Sequence, residues 1–190
     1  MDEKNALRAL IRKKAAALPP EYYRECGKSI CERILSGTYW QQAESVMAFC
    51  LTDREPDLSL LLSRARAEGK PLLLPCCLQD GRMEARQVHS PSDLVPGAYG
   101  IPCPREGCAV FEPARIGLVL VPCLSCTPEG VRLGHGGGWY DRFLADYRSA
   151  SPQESILCLC PERLLSAYLP RETHDILMPA VMTEKRLILP

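Results

Sequence analysis

Residues 130–144 read Gly-Val-Arg-Leu-Gly-His-Gly-Gly-Gly-Trp-Tyr-Asp-Arg-Phe-Leu. Glycines let consecutive backbone N–H groups converge on one oxyanion, and a helix beginning beyond them adds positive partial charge. The apolar run at 116–121 predicts a buried strand before this stretch, and residues 140–147 predict a helix after it. Strand, glycine turn and helix start together make an anion cradle. Asp141, just past the glycines, could hold a divalent cation beside a phosphate. Arg132 and His135 could touch the phosphate itself. The spacing is neither the dinucleotide G-x-G-x-x-G nor the G-x-x-x-x-G-K-S/T phosphate loop. Three adjacent glycines serve equally well as a flexible turn, with Arg132 and His135 in a solvated loop.

Eleven cysteines are the other chemical resource. Cys123 and Cys126 have CxxC spacing, and Cys76-Cys77 and Cys158/Cys160 are close pairs. A structural zinc needs a second well-spaced pair meeting the first. The other two pairs sit in apolar, strand-like runs whose alternate side chains point to opposite faces. In a reducing compartment the expectation is free thiols packed as small apolar residues.

These groups must be positioned by the surrounding elements. Two helices are predicted first. Leu7, Leu10 and Ile11 share a face of the first, with Arg8, Arg12 and Lys13 around it. The second starts near Pro20, places Tyr23, Cys26, Ile30 and Ile34 at helical spacing, and stops at Gly37. Residues 45–51 then form a short apolar run read as a buried strand. Leu58, Leu61, Leu62 and Ala65 mark a helix face closed by Gly69, and 71–75 is the next strand. Such a β-α-β order favours a parallel sheet covered by helices. Asp80-Gly81, followed by alternation at 83–86, predicts a hairpin or ribbon. Residues 90–114, rich in proline and glycine yet still apolar, read as an ordered excursion. Residues 156–160 predict another strand, 162–167 a short helix, and 180–183 and 187–189 short edge strands.

The fold class is therefore α/β: a single three-layer α/β/α domain over residues 1–190, with a mainly parallel central sheet and N-terminal helices. Ligands of open α/β sheets bind beyond the carboxyl ends of the strands. The 130s loop and residues 50–55 both fall at such ends, which predicts one shared cleft.

Basic and acidic residues balance at 23 each. That excludes the broad basic footprint of a nucleic-acid or membrane-surface binder but leaves room for a local basic pocket. The N-terminus is charged and lacks the apolar core of a signal peptide. No apolar stretch approaches the ~20 residues needed to span a bilayer. A cytoplasmic protein with neither nucleic-acid nor membrane partners is expected. Such a length lets one core bury roughly 70% of the unfolded surface. Nothing in the chain fixes its oligomeric state; a monomer is the default.

The string Arg-Leu-Gly-x-Gly-x-Gly-aromatic-Tyr-Asp at 132–141 resembles the signature of the 5-formyltetrahydrofolate cyclo-ligase (methenyltetrahydrofolate synthetase) family. Lys4-Asn5-Ala6-Leu7-Arg8 resembles that family's Lys-x-x-Leu-Arg opening. Glu55-Pro56-Asp57-Leu58 is similar to its folate-contacting Glu-x-Asp-Thr segment, and Tyr99-Gly100-Ile101-Pro102 to part of its Tyr-Gly-Ile-x-x-Pro segment. His174-Asp175 and Thr183-Glu184 resemble its tail. The pieces, in order, cover nearly all of the chain.

The resemblance implies ATP- and Mg²⁺-dependent conversion of 5-formyltetrahydrofolate to 5,10-methenyltetrahydrofolate, with release of ADP and phosphate. It implies the α/β architecture already read from the pattern. It assigns ATP to Lys4, Arg8, Arg132, Leu133, Gly134, His135, Gly136, Gly137, Gly138, Trp139 and Tyr140. Folate falls to Cys50, Glu55 and residues His135 through Trp139, that is, His135, Gly136, Gly137, Gly138 and Trp139. Mg²⁺ falls to Asp141 and Asp175. No covalent or acid–base residue is assigned. Read singly, these residues have plainer roles: Lys4 and Arg8 on a solvated helix face, Asp141 as a first-turn acid, Asp175 as a turn acid, Cys50 as a packed thiol. Trp139 and Tyr140 could stack on a heterocycle or serve as helix core.

Four positions depart from the family pattern. Cys126-Thr127 stands where Phe-Asp is usual, and Cys103 where a Glu is. Pro179 replaces an acid, and Gly137 occupies a place often held by Lys, though glycine is common there too. None strikes the phosphate cradle; the missing acid at 179 bears on the metal. An alternative expectation is a paralogue that binds folate or nucleotide with weak or no turnover. A third, from the fold alone, is a sugar-phosphate enzyme that uses the glycine loop without ATP. It leaves Lys4, Arg8 and Glu55 without a task.

Overall fold

The computed structural model describes residues 3–50, 52, 54–97, 100–150 and 155–190. Helices α1 (Glu3–Ala16), α2 (Pro20–Ser36) and α3 (Thr38–Gln42) precede β1 (Val46–Met47), α4 (Ser59–Ala67), β2 (Leu72–Cys77) and β3 (Met83–Val88). The excursion carries β4 (Leu94–Pro96), β5 (Pro102–Pro104) and β6 (Val110–Phe111). Then come β7 (Leu118–Pro122), β8 (Ser125–Cys126), β9 (Arg132–Leu133), α5 (Trp139–Ala150), β10 (Ile156–Leu159), β11 (Val181–Met182) and β12 (Leu187–Ile188).

The main sheet has the order β12-β11-β10-β7-β1-β2-β3-β6. Its centre, β11 through β2, is parallel; β12, β3 and β6 add antiparallel edges. Apolar runs without polar alternation produce this, because helices cover both faces and each strand buries both sets of side chains. Val46, Leu72, Leu74, Leu118, Leu120, Leu157 and Leu159 pack with α2, α3 and α4. Their strand neighbours Met47, Leu73, Val119, Val121, Ile156 and Cys158 pack with Phe143, Leu144 and Tyr147 of α5. The period-2 split of each strand thus becomes two cores on either side of one sheet. The three layers are as expected.

Helix α2 runs from Pro20 to Ser36 with Gly37 as its C-cap, as its sequence signals require. Its Tyr23, Cys26, Ile30 and Ile34 are all buried. Gly27 lies where α2 crosses the backbone of Asp57, so close that a Cβ would overlap it.

Several expectations are corrected. Leu10 does not join the inner face of α1; it is 63% exposed, while Lys4, Ile11 and Ala15 turn inward. Those positions are seven and four residues apart, so they form their own stripe on the helix. The run at 45–51 contributes strand only at Val46–Met47 among the described residues; Leu51 lies outside them. Residues 162–167 hold a single 3-10 turn, Glu162–Leu164. Strand β11 is not an edge, since β12 covers it. The strand at 116–121 does not feed the glycine loop directly: the β8–β9 hairpin intervenes, and Arg132-Leu133 belongs to it. Tyr99 lies outside the described residues.

All eleven cysteines are free. Cys158 and Cys160, two residues apart, share one face instead of being separated: Cys158 meets both Cys123 and Cys126, and Cys160 meets Cys123. Yet among the described residues no three sulfurs come mutually within 4.8 Å. A tetrahedral zinc cage requires closer convergence than that, so these thiols act as apolar core.

Candidate active site

The glycine stretch, the start of α1, the segment after β1 and the 172–175 turn surround one cavity of about 820 Å³. Every residue to which the sequence pattern gave a ligand lines it, from Lys4 to Asp175.

The loop's conformation explains its composition. Gly136 and Gly138 have φ of +111° and +64°, a region that L side chains avoid. A Cβ on Gly138 would also lie 2.8 Å from Arg142 Nη1. Arg142 holds the loop by donating to the Gly137 carbonyl at 2.9 Å and to Gly81 in the β2–β3 turn at 2.9 Å. Helix α5 begins at Trp139, so its first N–H groups have no partner within the helix, and Trp139, Tyr140 and Asp141 line the cavity.

Helix α1 supplies the cations. Arg8 Nε donates to the Gly134 carbonyl at 3.0 Å, and Arg8 Nη1 to Asn5 Oδ1 at 2.6 Å. Arg12 Nη2 reaches the His135 carbonyl at 3.3 Å. Lys4 Nζ sits 2.6 Å from Asp175 Oδ2 and 3.0 Å from Glu172 Oε2. Burial works against its charge, but hydrogen bonds and charges from both acids outweigh it and raise its pKa. Asp175 is the mirror case: burial opposes its ionisation, while the Glu172 backbone N–H and the Lys4 ammonium more than offset this and lower its pKa.

Asp141 turns toward Arg132, whose Nη2 donates to Asp141 Oδ2 at 2.9 Å. Arg132 Nη1 also donates to the Pro122 carbonyl at 3.3 Å, while its buried Nε has no partner. Among the described residues, Glu172, His174 and Asp175 have their potential ligand atoms all within 4.8 Å of one another. Sequence reading named Asp175 but not Glu172. The Glu-x-His-Asp spacing was the available signal.

Glu55 is 8% exposed, and its Oε2 accepts from the Thr52 backbone N–H and hydroxyl, both at 2.9 Å. Its other oxygen faces His135 Nε2 at 3.5 Å. Phe49, Met83, Ile101 and the thiol of Cys50 add apolar lining to the same cavity. Burial, then the Glu55 charge, pushes the Cys50 thiol up to about 11. The Tyr140 hydroxyl is buried here without a partner. A smaller cavity of about 360 Å³ adjoins, sharing Arg12, Thr52, Glu55 and His135 and adding Arg54. Thr52, Arg12 and Arg142 were missed in the sequence because each acts through a contact far along the chain or through backbone.

The Thr183-Glu184 tail has a different task. Glu184 accepts from the Tyr22 hydroxyl at 2.7 Å, the Glu162 N–H at 2.8 Å and the Cys26 thiol at 3.4 Å. It fastens α2 to the sheet and does not line the cavity.

No helix among the described residues is long and apolar enough to cross a membrane. Comparison with known proteins agrees with the resemblance. Residues 1–184 match the model of the 5-formyltetrahydrofolate cyclo-ligase family. The chain is 29% identical to the Escherichia coli K12 5-formyltetrahydrofolate cyclo-ligase, over 94% of this chain and 98% of that one. It is 32% identical to the Mycolicibacterium smegmatis enzyme of the same name, over 90% and 88%. The solved structure of Aquifex aeolicus 5,10-methenyltetrahydrofolate synthetase superposes with a TM-score of 0.83 at 28% identity, covering 98% of this chain and 92% of that one. A match over almost the whole length places this chain in the 5-formyltetrahydrofolate cyclo-ligase family.

Proposed function

We propose that this protein converts 5-formyltetrahydrofolate to 5,10-methenyltetrahydrofolate at the expense of ATP, releasing ADP and phosphate. The reading rests on one cavity that brings together cations from α1, a glycine loop at a helix N-terminus and a buried carboxylate with apolar walls.

A formamide carbonyl is a poor electrophile, and its oxygen is a poor leaving group. Transfer of the γ-phosphoryl group to that oxygen, with ADP leaving, remedies both. The neighbouring amine nitrogen of the folate then attacks the formyl carbon and loses its proton. The C–O bond breaks, and phosphate departs with the former formyl oxygen as the ring closes. The protein's task is alignment and charge neutralisation.

Arg8 and the loop N–H groups hold the phosphates, Arg8 as a fork fixed by Asn5 and Gly134. Glu55, held by Thr52, accepts N–H donors of the pterin ring. Trp139 and Tyr140 border the folate. Arg12 and Arg54 supply positive charge for the carboxylates of its tail.

The carboxylates fit Mg²⁺, a hard cation that takes oxygen ligands and shares them with phosphates. The Lys4 ammonium already lies between Glu172 and Asp175, as a cation would. Asp175 with Glu172, and Asp141 from the loop side, would hold the metal. When bound, it would draw negative charge from the phosphoryl oxygens. Lys4 keeps this acidic turn against α1.

The test is direct. Protein, 5-formyltetrahydrofolate, Mg²⁺ and ATP are mixed, and the ultraviolet band of the methenyl product is followed. ATP-dependent product is expected. Folate binding without product would make the protein a non-catalytic paralogue, and indifference to folate would overturn the reading.

A further inference from the structure

Cys103, in the cavity wall, meets a second thiol behind it, and this chemistry uses neither. Cys76 Sγ lies 3.4 Å from Cys103 Sγ. Cys76 belongs to β2 of the main sheet; Cys103 belongs to β5, which pairs only with β4 among the described strands. No backbone ladder joins the two strands, so these sulfurs are a point of contact between a small hairpin and the central sheet. Cys76 is buried, while Cys103 is half-buried and lines the cavity. A small molecule entering the cavity therefore meets Cys103 first. The sulfurs are already in van der Waals contact, and a covalent S–S bond of roughly 2.0 Å needs only modest further approach. Arg86, gripped by Glu84 at 2.9 Å, is close enough to interact with both sulfurs. It puts a positive charge beside any thiolate that forms. At rest the Cys103 thiol stays protonated: burial, then its hydrogen bond to Cys76, pushes it up to about 12.

We propose that Cys76 and Cys103 are a modification site, forming a reversible intramolecular disulfide that pins the β4–β5 hairpin to the central sheet. The oxidant is a low-molecular-weight disulfide. The Cys103 sulfur attacks one sulfur of the oxidant, whose S–S bond breaks and expels one thiol. The Cys76 sulfur then attacks Cys103 in the mixed disulfide and expels the second thiol. Both protein protons pass to the departing thiolates, and two electrons pass from the protein to the oxidant. The bond does not depend on which substrate the cavity takes.

The experiment uses the full chain, reduced and freed of reductant, then incubated folded with oxidised glutathione. Free thiols are alkylated before unfolding, and digestion without reductant is followed by mass spectrometry. A cross-linked peptide joining Cys76 to Cys103 is expected. It should disappear with dithiothreitol and be absent from both Cys103→Ser and Cys76→Ala, whose folding is checked by circular dichroism. Protein unfolded in urea should give scrambled pairs instead. Recovery of Cys76 and Cys103 as alkylated thiols, as separate glutathione adducts, or bonded to Cys50 or Cys77 would overturn the proposal.

Discussion

The Lys4 ammonium lies 2.6 Å from Asp175 Oδ2, joining the first turn of α1 to a turn 171 residues further along the chain. This contact joins two walls of the cavity, and it titrates. Lys4 has a raised pKa, so its share of stability is full below its unfolded pKa and is lost as pH rises through the higher folded value. Asp175 has a lowered pKa, so its share is full above its unfolded pKa and is lost as pH falls through the lower folded value. Asp175→Asn is expected to cost about 1–3 kcal/mol at neutral pH. Urea denaturation across pH should show this gap narrowing in acid, as pH falls through the depressed folded pKa of Asp175. A gap that stays constant into acid would contradict the assignment.

Arg8 is anchored at two points, to Gly134 and Asn5. Arg8→Lys keeps the charge but loses the fork. ATP titrations should show the KM for ATP raised roughly tenfold or more, the worth of a charge-assisted bidentate contact, with the KM for folate little changed. Equal effects on both substrates would mean that Arg8 only supports the fold.

Gly138 and Gly69 offer a matched pair. Both have positive φ, +64° and +66°. A Cβ at Gly138 meets Arg142 at 2.8 Å, whereas one at Gly69 meets nothing within 4 Å. Each Ala substitution should cost about 1 kcal/mol in stability from backbone strain. Only Gly138→Ala should also lower kcat/KM, by about a hundredfold, because it moves the loop. Similar activity in the two variants would show that the loop shape is not needed.

Glu55→Gln keeps the shape but removes the charge that Thr52 steadies. Folate affinity should fall about tenfold to a hundredfold, as expected for a lost charged hydrogen bond, with ATP affinity unchanged. Isothermal titration with each ligand separates the two. Unchanged folate affinity would remove Glu55 from the folate end.

Glu184 tests the opposite role. Three donors hold its carboxylate, and although burial opposes ionisation, the Glu162 N–H and the Tyr22 hydroxyl lower its pKa. Glu184→Gln should reduce stability by about 1–3 kcal/mol and leave both KM values alone. Because its folded pKa is depressed, the loss should fade as pH falls through that value. A shifted KM would show that the tail reaches the cavity.

Much of the fold was legible because its signals are local. The unbroken apolar runs of β2, β7 and β10 announced a sheet buried on both faces, and Pro20 and Gly37 marked the ends of α2. The β8–β9 hairpin was not legible: two-residue strands show no period. Leu10 misled because an apolar residue at helical spacing was placed inside, whereas the inward stripe of α1 includes a lysine. That lysine is buried only because two acids some 170 positions away receive it. Glu172 was hidden for the same reason. Within the cavity, the glycine stretch was conspicuous from its own composition, while Glu55 and Asp175 stood out only through resemblance to the family.

Phosphoryl transfer to the formyl oxygen moves that oxygen into the released phosphate, where it can be traced. 5-Formyltetrahydrofolate carrying heavy oxygen in its formyl group is turned over with ATP in ordinary water, and the released phosphate is analysed by mass spectrometry. One heavy oxygen is expected in each phosphate formed with methenyl product. Phosphate free of the label, with the heavy oxygen recovered in water, would contradict it.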